Sequence, residues 1–267
     1  MYKVFLTVRN RLSITIKCIT ALVRHSEMPF QLYIYDNISH TMLRERFLYY
    51  SLLYEKKIAT QITINTEAST FNAFSKAASC NQFGYLHEDD PKKDQYSFLL
   101  FLDNDMIVTP KFDKILEQAW QEVSKDPLLQ SVRVITYLGN ATKAIEEVPH
   151  KIAGYRAFLG KLSGSSFWCV KPDFFRQVGF LDLRPLTGRS KGHDQYYWPL
   201  LDRSSKGKSY ILALQANLAI HTGKYVGSVC NALRTAKDIK RIEFREAERE
   251  IDKLSFDEFY RKITTGS

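Results

Sequence analysis

Apolar and polar positions repeat with two different periods along the N-terminal half of the chain. Short apolar segments, rich in β-branched and aromatic residues and bounded by polar residues, are typical of buried strands. Four such segments lie at Lys3 to Val8, Gln31 to Tyr35, Gln61 to Ile64 and Tyr96 to Leu102. Between the first two, Ser13 to His25 carries apolar residues at helical spacing. This order predicts a βαβ crossover at the start of the chain.

Helical spacing also recurs between the later strand-like segments. Helices are predicted over Thr41 to Tyr54 and Phe71 to Cys80, and the polar run His87 to Asp94 predicts an exposed loop. Strands that alternate with helices predict an α/β fold with a doubly wound, mainly parallel sheet flanked by helices. In such sheets ligands bind beyond the carboxyl ends of the strands.

The second half of the chain is less regular. We predict a helix from Pro110 to about Val123 and strands near Ser131 to Tyr137 and Tyr210 to Leu214, with an irregular region at Gly154 to Trp198. From about Ala236 to Ile263, dense charge mixed with apolar residues indicates amphipathic helix. We therefore expect one domain over residues 1–225, in halves 1–110 and 111–225, with a helical extension over 226–267 packed on it.

Composition narrows the class of protein. A chain of 267 residues that is 45% hydrophobic can bury one substantial core. It has no run of about 18 to 20 uncharged apolar residues, and Met1 leads directly into a strand-like segment, so we expect a cytoplasmic protein. The cysteines are scattered and form no C-x-x-C pair, which argues against a zinc knuckle or a disulfide framework.

The formal net charge of +9 favours phosphate-bearing partners. Nucleotides, nucleic acids and the anionic inner face of a membrane all fit, and the charge does not choose among them. A solvated basic surface explains it equally well.

A buried strand-like segment ends abruptly in Asp103-Asn104-Asp105. Two carboxylates at a strand end repel each other, and burial makes this costly. A divalent cation such as Mg²⁺ or Mn²⁺, which prefers hard oxygen ligands, would offset the repulsion. Alternatively, Asp105 or Thr109 caps the following helix.

These motifs together resemble those of the GT-A-fold glycosyltransferases, and most of all the inverting enzymes of glycosyltransferase family 2. The resemblance covers about residues 1–225. It rests on the order of the segments Phe5 to Arg11, Tyr33 to Asn37, Leu102 to Asp105, Gly179 to Asp182 and Gly192 to Trp198.

The resemblance implies a donor site at the ends of the first strands. Thr7 and Arg9 would border the base and ribose, and Asp36 would accept a hydrogen bond from a pyrimidine N–H, although an Asx-turn explains Asp36 as well. Asp103 would lie near the ribose and the metal, and Asp105 would ligate the metal. The family often has a basic residue before its third helix, and none occurs at residues 68–72.

The resemblance also implies residues for catalysis and for the acceptor. Asp194 would be the general base, although it could instead be a charge at a helix N-terminus. His193 stands where the family usually has Glu, and it would contact the acceptor or only begin a helix. His221 would be a further metal ligand and Lys224 a phosphate contact. Trp168 would stack on the acceptor sugar, or pack in the core.

The function implied is a metal-dependent, inverting transfer of a sugar from a UDP- or dTDP-linked donor to a saccharide or lipid-linked saccharide hydroxyl. Three alternatives stay open: a glycosyltransferase that acts on nucleic acid or a modified base, a nucleotidyltransferase, and a nucleotide-binding or interaction module without activity. The lysine-bearing, Gly-rich phosphate loop of many nucleotidyltransferases is missing after the first strand.

Overall fold

The computed structural model describes residues 1–8, 12–37, 58–65, 73–182, 194–222 and 249–265. The elements of the N-terminal half are β1 (Tyr2–Val8), α1 (Leu12–His25), β2 (Phe30–Asn37), β3 (Ile58–Asn65), α2 (Ala73–Glu88) and β4 (Leu99–Asp103). The strands β3, β2, β1 and β4 lie side by side and pair in parallel. The predicted βαβ crossover is confirmed, and the helix predicted at residues 41–54 lies outside the described residues.

The second half extends the same sheet. Its elements are β5 (Met106–Val108), α3 (Phe112–Lys125), β6 (Val134–Tyr137), β7 (Ala141–Glu147), β8 (Ala157–Ser163), β9 (Phe167–Val170), α4 (Phe174–Val178), α5 (Asp194–Ser204), β10 (Ile211–Leu214), β11 (Ala219–His221) and α6 (Phe256–Thr265). The described strands form a nine-stranded sheet in the order β3-β2-β1-β4-β9-β6-β10-β8-β7. β9 runs antiparallel to both β4 and β6. Parallel pairing among the described strands is therefore confined to β1–β4 and to β6 with β10.

Two predictions about local structure are wrong. The region predicted as irregular contains β8, β9 and α4, and all four residues of β9 are buried. The predicted loop at His87 begins too early, because α2 continues to Glu88. His87 is buried there, with its Nε2 2.8 Å from the carbonyl oxygen of Pro172.

The sheet is covered on both faces, as a doubly wound fold requires. Along β1, Val4 and Leu6 belong to the core on one side, whereas Phe5 belongs to the core on the other side. This alternation follows from the two-residue period of a strand. Residues of α1, α3 and α6 fill the first side, and residues of α2, α4 and α5 fill the second. The α/β prediction is confirmed.

The C-terminal helix packs on α1. Phe256 and Tyr260 approach the His25 ring, with centroid separations of 5.8 and 4.9 Å. Arg24 Nη1 lies 2.7 Å from Asp257 Oδ1 at the rim of this contact. None of the described helices has the length and apolar composition that crossing a bilayer requires.

Candidate active site

The carboxyl ends of three neighbouring strands meet at one edge of the sheet. Thr7 of β1 pairs with Asp103 of β4 on one side, and Val8 pairs with Asp36 of β2 on the other. The register therefore brings the backbones of Thr7, Asp36 and Asp103 to the same edge. This is where ligands of open α/β sheets bind.

The turn after β4 is held by contacts with its surroundings. The Asp103 N–H donates to the Ser166 carbonyl oxygen at 3.0 Å. The Asn104 amide donates to Thr15 Oγ1 of α1 at 2.8 Å. Asn104 and Asp105 are both buried. The turn thus presents its carboxylates from a fixed backbone.

The negative charge of this turn contributes to the raised pKa values of two neighbouring side chains. Burial, and then the charges of Asp105 and Asp103, raise the pKa of the Cys18 thiol well above its ordinary value. Burial and the charge of Asp105 raise the pKa of Tyr137 to about 12. Burial is the larger cause of both shifts, and the carboxylates add to it because they disfavour a second negative charge nearby.

A small second sheet brings His221 to Asp105. β11 pairs antiparallel with β5, and His221 lies opposite Met106. Thr222 fixes the register, because its N–H and its hydroxyl both donate to the Asp105 carbonyl oxygen, at 2.9 and 2.8 Å. As a result His221 Nε2 lies 3.3 Å from Asp105 Oδ2.

This pair fits a divalent cation. Adjacent ligands that each lie about 2.0–2.2 Å from a cation are separated by about 3 Å, close to the distance between His221 Nε2 and Asp105 Oδ2. The His221 side chain is 42% exposed, and that of Asp105 is 10% exposed, so the pair faces the open side of the site. Within the described residues no group of three His, Cys, Asp or Glu side chains converges. Asp103 therefore does not complete a three-ligand cluster with this pair.

A narrow cavity of about 10 Å³, the space of about one water molecule, lies next to Asp103. Its lining includes three predicted site residues, Thr7, Asp103 and Trp168. The Thr7 hydroxyl lies 3.3 Å from that of Ser79 on α2. Trp168 is 3% exposed, and its indole N–H donates to Ser163 Oγ at 2.8 Å. Most of the Trp168 ring is thus packed, and its contact with a sugar stays a prediction.

Tyr197 is a cavity residue that the sequence did not single out. It lines the cavity with Asp103, and it is 1% exposed. Its hydroxyl is buried and has no hydrogen-bond partner among the described residues. Burial raises the pKa of this hydroxyl well above its ordinary value. An aromatic residue in a helix is usually core, and only the missing partner distinguishes this hydroxyl as a group that could bind a ligand.

Asn140 is a second residue that sequence reasoning missed. Its side-chain amide donates to the carbonyl oxygens of Gly164 and Phe167, at 2.6 and 3.1 Å. Its Oδ1 accepts a hydrogen bond from Ser166 Oγ at 2.9 Å. Asn140 therefore braces the turn that accepts the Asp103 N–H.

The remaining predicted residues are described in part or not at all. Asp194 is the first residue of α5, and Tyr197 follows it by about one helical turn. This places the Asp194 backbone close to the cavity. Arg9, His193 and Lys224 lie outside the described residues.

Comparison with known proteins establishes the fold. No family model and no curated protein matches the sequence. Among solved structures, the chain is similar to S. aureus TarS 1–349, with a TM-score of 0.52 and 10% identity over 82% of this chain and 59% of that chain. The same fragment in complex with UDP gives a TM-score of 0.51 and 10% identity, with the same coverage.

A third similar structure covers the whole chain. It is the mannosyltransferase PcManGT from Pyrobaculum calidifontis in complex with GDP-Man and Mn²⁺, with a TM-score of 0.57 and 11% identity over 100% of this chain and 76% of that chain. The chain thus spans under two thirds of the TarS fragment and about three quarters of PcManGT. At these identities the matches show that this chain shares the α/β fold of these structures, as predicted, and they show nothing finer.

Proposed function

We propose that this protein is a metal-dependent glycosyltransferase that moves a sugar from a nucleotide-sugar to an acceptor hydroxyl with inversion. One observation carries the proposal: Asp105 and His221 converge to 3.3 Å, and Asp105 lies two residues along the chain from Asp103, which lines a cavity with Thr7. The fold supports it, because structures that share the fold include a mannosyltransferase with GDP-Man and Mn²⁺ and TarS with UDP.

Asp105 and His221 are the protein ligands proposed for Mn²⁺ or Mg²⁺. A carboxylate and an imidazole suit Mn²⁺, and such ions commonly take their other ligands from water and substrate phosphates. A bound cation would neutralise charge on the departing diphosphate. Because the protein would supply only two ligands, we expect the cation to bind together with the donor, whose phosphates supply others.

The donor would lie along the carboxyl edge of the sheet. In this proposal Thr7 and Arg9 border the nucleoside, Asp36 reads the base, Asp103 contacts the ribose, and Lys224 contacts phosphate. Asp36 as a hydrogen-bond acceptor favours a uracil or thymine base.

The transferred sugar would lie over the mouth of the cavity beside Asp103, which itself has room for about one water molecule. There the Tyr197 hydroxyl supplies a buried hydrogen-bonding group, and Trp168 and His193 border the acceptor. Because Tyr197 has no partner among the described residues, a sugar hydroxyl would satisfy it without breaking another bond.

Asp194 is the proposed general base. Its carboxylate takes the proton of the acceptor hydroxyl as that oxygen attacks the anomeric carbon, and the bond from this carbon to the diphosphate oxygen breaks. Attack from the face opposite the leaving group inverts the anomeric configuration. A saccharide or lipid-linked saccharide is the proposed acceptor.

Binding of donor and metal is tested first. UDP-, dTDP- and GDP-sugars are screened with Mn²⁺, with Mg²⁺ and with EDTA, for thermal stabilisation and for donor hydrolysis. At least one donor should stabilise the protein only with metal. If every nucleotide-sugar gave the same stabilisation and hydrolysis with metal and with EDTA, the proposed metal site would be contradicted.

A matched pair of histidine variants locates the metal. His221→Ala should weaken Mn²⁺-dependent stabilisation by more than about tenfold in apparent affinity, because a direct ligand is lost. His150→Ala is the control, since His150 Nε2 also lies near a carboxylate, 3.0 Å from Asp126 Oδ2, on the surface. Equal Mn²⁺ responses from both variants would exclude His221 as a ligand.

The chemical step is tested with Asp194→Asn. Turnover should fall by about 10²-fold or more while donor binding persists, because only proton transfer is removed. NMR of the product anomeric centre should show inversion. Full turnover by the variant, or a retained configuration, would overturn the mechanism.

A further inference from the structure

A second cavity lies on the other side of the molecule from the candidate active site. It has a volume of about 200 Å³ and is mainly polar. Its lining combines two cationic side chains with amides and a hydroxyl: Arg133, Lys171, Gln130, Gln177 and Ser124.

The sheet register explains why two cations meet here. Val134 of β6 and Val170 of β9 are antiparallel partners. Arg133 precedes Val134 and Lys171 follows Val170, so the two cations lie opposite each other one residue beyond this pair. Val170 also pairs with Leu99, the first residue of β4, whereas Asp103 ends that strand. The cavity is therefore at the opposite edge of the sheet from the donor site.

Arg133 is fixed by neutral groups. Its guanidinium donates to the carbonyl oxygens of Gln130, Val132 and Ser204, at 2.8, 3.1 and 2.9 Å. Its Nε is buried without a hydrogen-bond partner among the described residues. Asp173 acts on Arg133 electrostatically, but it forms no ion pair with Arg133 within 4.0 Å. The positive charge of Arg133 is thus held in place and left without a contacting counter-charge.

Lys171 is in a similar position. Its Nζ lies 5.4 Å from the centroid of the Trp120 ring, a cation–π contact that leaves the charge in place. Within the part of the chain that the structure describes, no carboxylate pairs with Lys171 at ion-pair distance. Arg133 and Lys171 both line the cavity, so an anion bound there would lie close to two positive charges.

We propose that this cavity binds the phosphate group of a phosphate ester that also carries hydroxyls. A guanidinium and an ammonium together suit a doubly charged phosphate. The volume of about 200 Å³ exceeds that of a phosphate group and leaves room for part of an organic residue. Ser124 already donates to the Trp120 carbonyl oxygen and Gln177 to Asp173 Oδ2. A ligand hydroxyl would therefore donate to Ser124 Oγ or Gln177 Oε1, or bind the Gln130 side chain.

Two kinds of molecule carry such a phosphate ester: a sugar phosphate in solution and the headgroup of a phospholipid. Leu128 lies next to the cavity residues Leu129 and Gln130, and it is 67% exposed. An apolar side chain at this rim would contact acyl chains only if the phosphate belonged to a membrane lipid. Leu128→Ser therefore separates the two sources.

The test uses the full chain at constant ionic strength. Inorganic phosphate and glucose 6-phosphate are titrated by calorimetry, and binding to phosphatidylcholine vesicles with and without phosphatidic acid is measured by flotation. Lys171→Gln should weaken phosphate binding by about tenfold, as expected when a charged hydrogen-bonding partner is lost. Lys262→Gln on α6 is the control, because it removes the same charge from an exposed position on a helix outside the cavity.

Arg133→Gln is a second variant, with its melting temperature recorded because Arg133 also holds three carbonyl groups. Binding of phosphate and glucose 6-phosphate that is lost in Lys171→Gln supports a soluble ester. Selective binding to phosphatidic acid vesicles that is weakened by Lys171→Gln and Leu128→Ser supports a lipid headgroup. Equal binding by wild type, Lys171→Gln and Lys262→Gln, or no binding to any probe, overturns the proposal.

Discussion

Replacement of Tyr197 by Phe should stabilise the ligand-free protein, although Tyr197 is almost fully buried. The substitution keeps the ring, which packs edge-on to Trp168 at a centroid distance of 5.8 Å. It removes only the hydroxyl, which has no hydrogen-bond partner among the described residues. Burial of an unpaired polar group costs about 1–3 kcal/mol. Removal of the hydroxyl abolishes this cost, but the small void left by the oxygen offsets part of the gain. We therefore expect the free energy of unfolding to rise by about 1 kcal/mol.

Tyr2→Phe is the matched control with the opposite sign. Tyr2 is also fully buried, but its hydroxyl lies 2.7 Å from Ser26 Oγ. Loss of this hydrogen bond should lower the free energy of unfolding by about 1 kcal/mol. The two variants make the same chemical change at similar burial, and they differ in whether the hydroxyl is paired.

Urea denaturation and thermal melting measure both effects. For a chain of this size, 1 kcal/mol corresponds to a shift of about 2–4 °C in melting temperature, upward for Tyr197→Phe and downward for Tyr2→Phe. Under the proposed function, Tyr197→Phe should also weaken binding of the nucleotide-sugar more than binding of the free nucleotide. A lower stability of Tyr197→Phe would refute the reasoning, because it would show that the hydroxyl is paired in solution.

Two further predictions concern packing and pH. In Gly84→Ala the new Cβ would lie 2.6 Å from ring atoms of Phe175 and Phe180. This overpacking should lower the free energy of unfolding, measured by urea denaturation, by about 1–3 kcal/mol. An unchanged midpoint would mean that the two rings move aside without cost. Partial burial would raise the pKa of Asp90, but its ion pair with Lys3 and its hydrogen bonds from the Lys92 N–H and the Tyr96 hydroxyl together hold the pKa at about 2. Because this pKa lies below the ordinary 3.8, ionised Asp90 stabilises the folded protein fully above about pH 4. This contribution of about 1–2 kcal/mol to the free energy of unfolding is lost as the pH falls towards 2. Acid titration of stability should show this loss in wild type and not in Asp90→Asn.

The parallel half of the fold could be predicted because its signals are local. Successive side chains of β1 enter different cores, and the flanking helix α1 has its own apolar face. Strand segments of this kind are recognisable from composition and length alone. The ends of the strands then follow, and with them the positions of Thr7, Asp36 and Asp103.

The antiparallel half could not be predicted in the same way. In β8 the buried positions are Ala157, Gly160 and Ser163, a spacing of three that is closer to a helical period than to a strand period. Its partner β7 pairs with register shifts along its length. Bulges of this kind break the two-residue alternation on which recognition of a strand depends.

Residue type singled out Asp105 and His221, and their side chains do lie 3.3 Å apart, while their role as metal ligands stays a prediction. Tyr197 and Asn140 could not be singled out in this way, because their significance depends on partners that lie on other elements. The Tyr197 hydroxyl matters because it has no partner among the described residues, and the Asn140 amide because it donates to two separate carbonyl groups. Neither fact is encoded in the neighbouring sequence.

Side chains of like charge are brought together at both edges of the sheet, carboxylates at one and cations at the other. At the carboxyl edge, the end of β4 carries Asp103 and Asp105, and the β5–β11 pairing adds His221, so a cation would lower the energy of the arrangement under the proposed function. At the other edge, Arg133 and Lys171 flank the paired residues Val134 and Val170 and line one cavity, where no carboxylate among the described residues forms an ion pair with either. Strand register, which hydrophobic alternation determines, thus fixes which charges meet. Where like charges meet in a cavity, the missing counter-charge identifies the kind of ligand expected there.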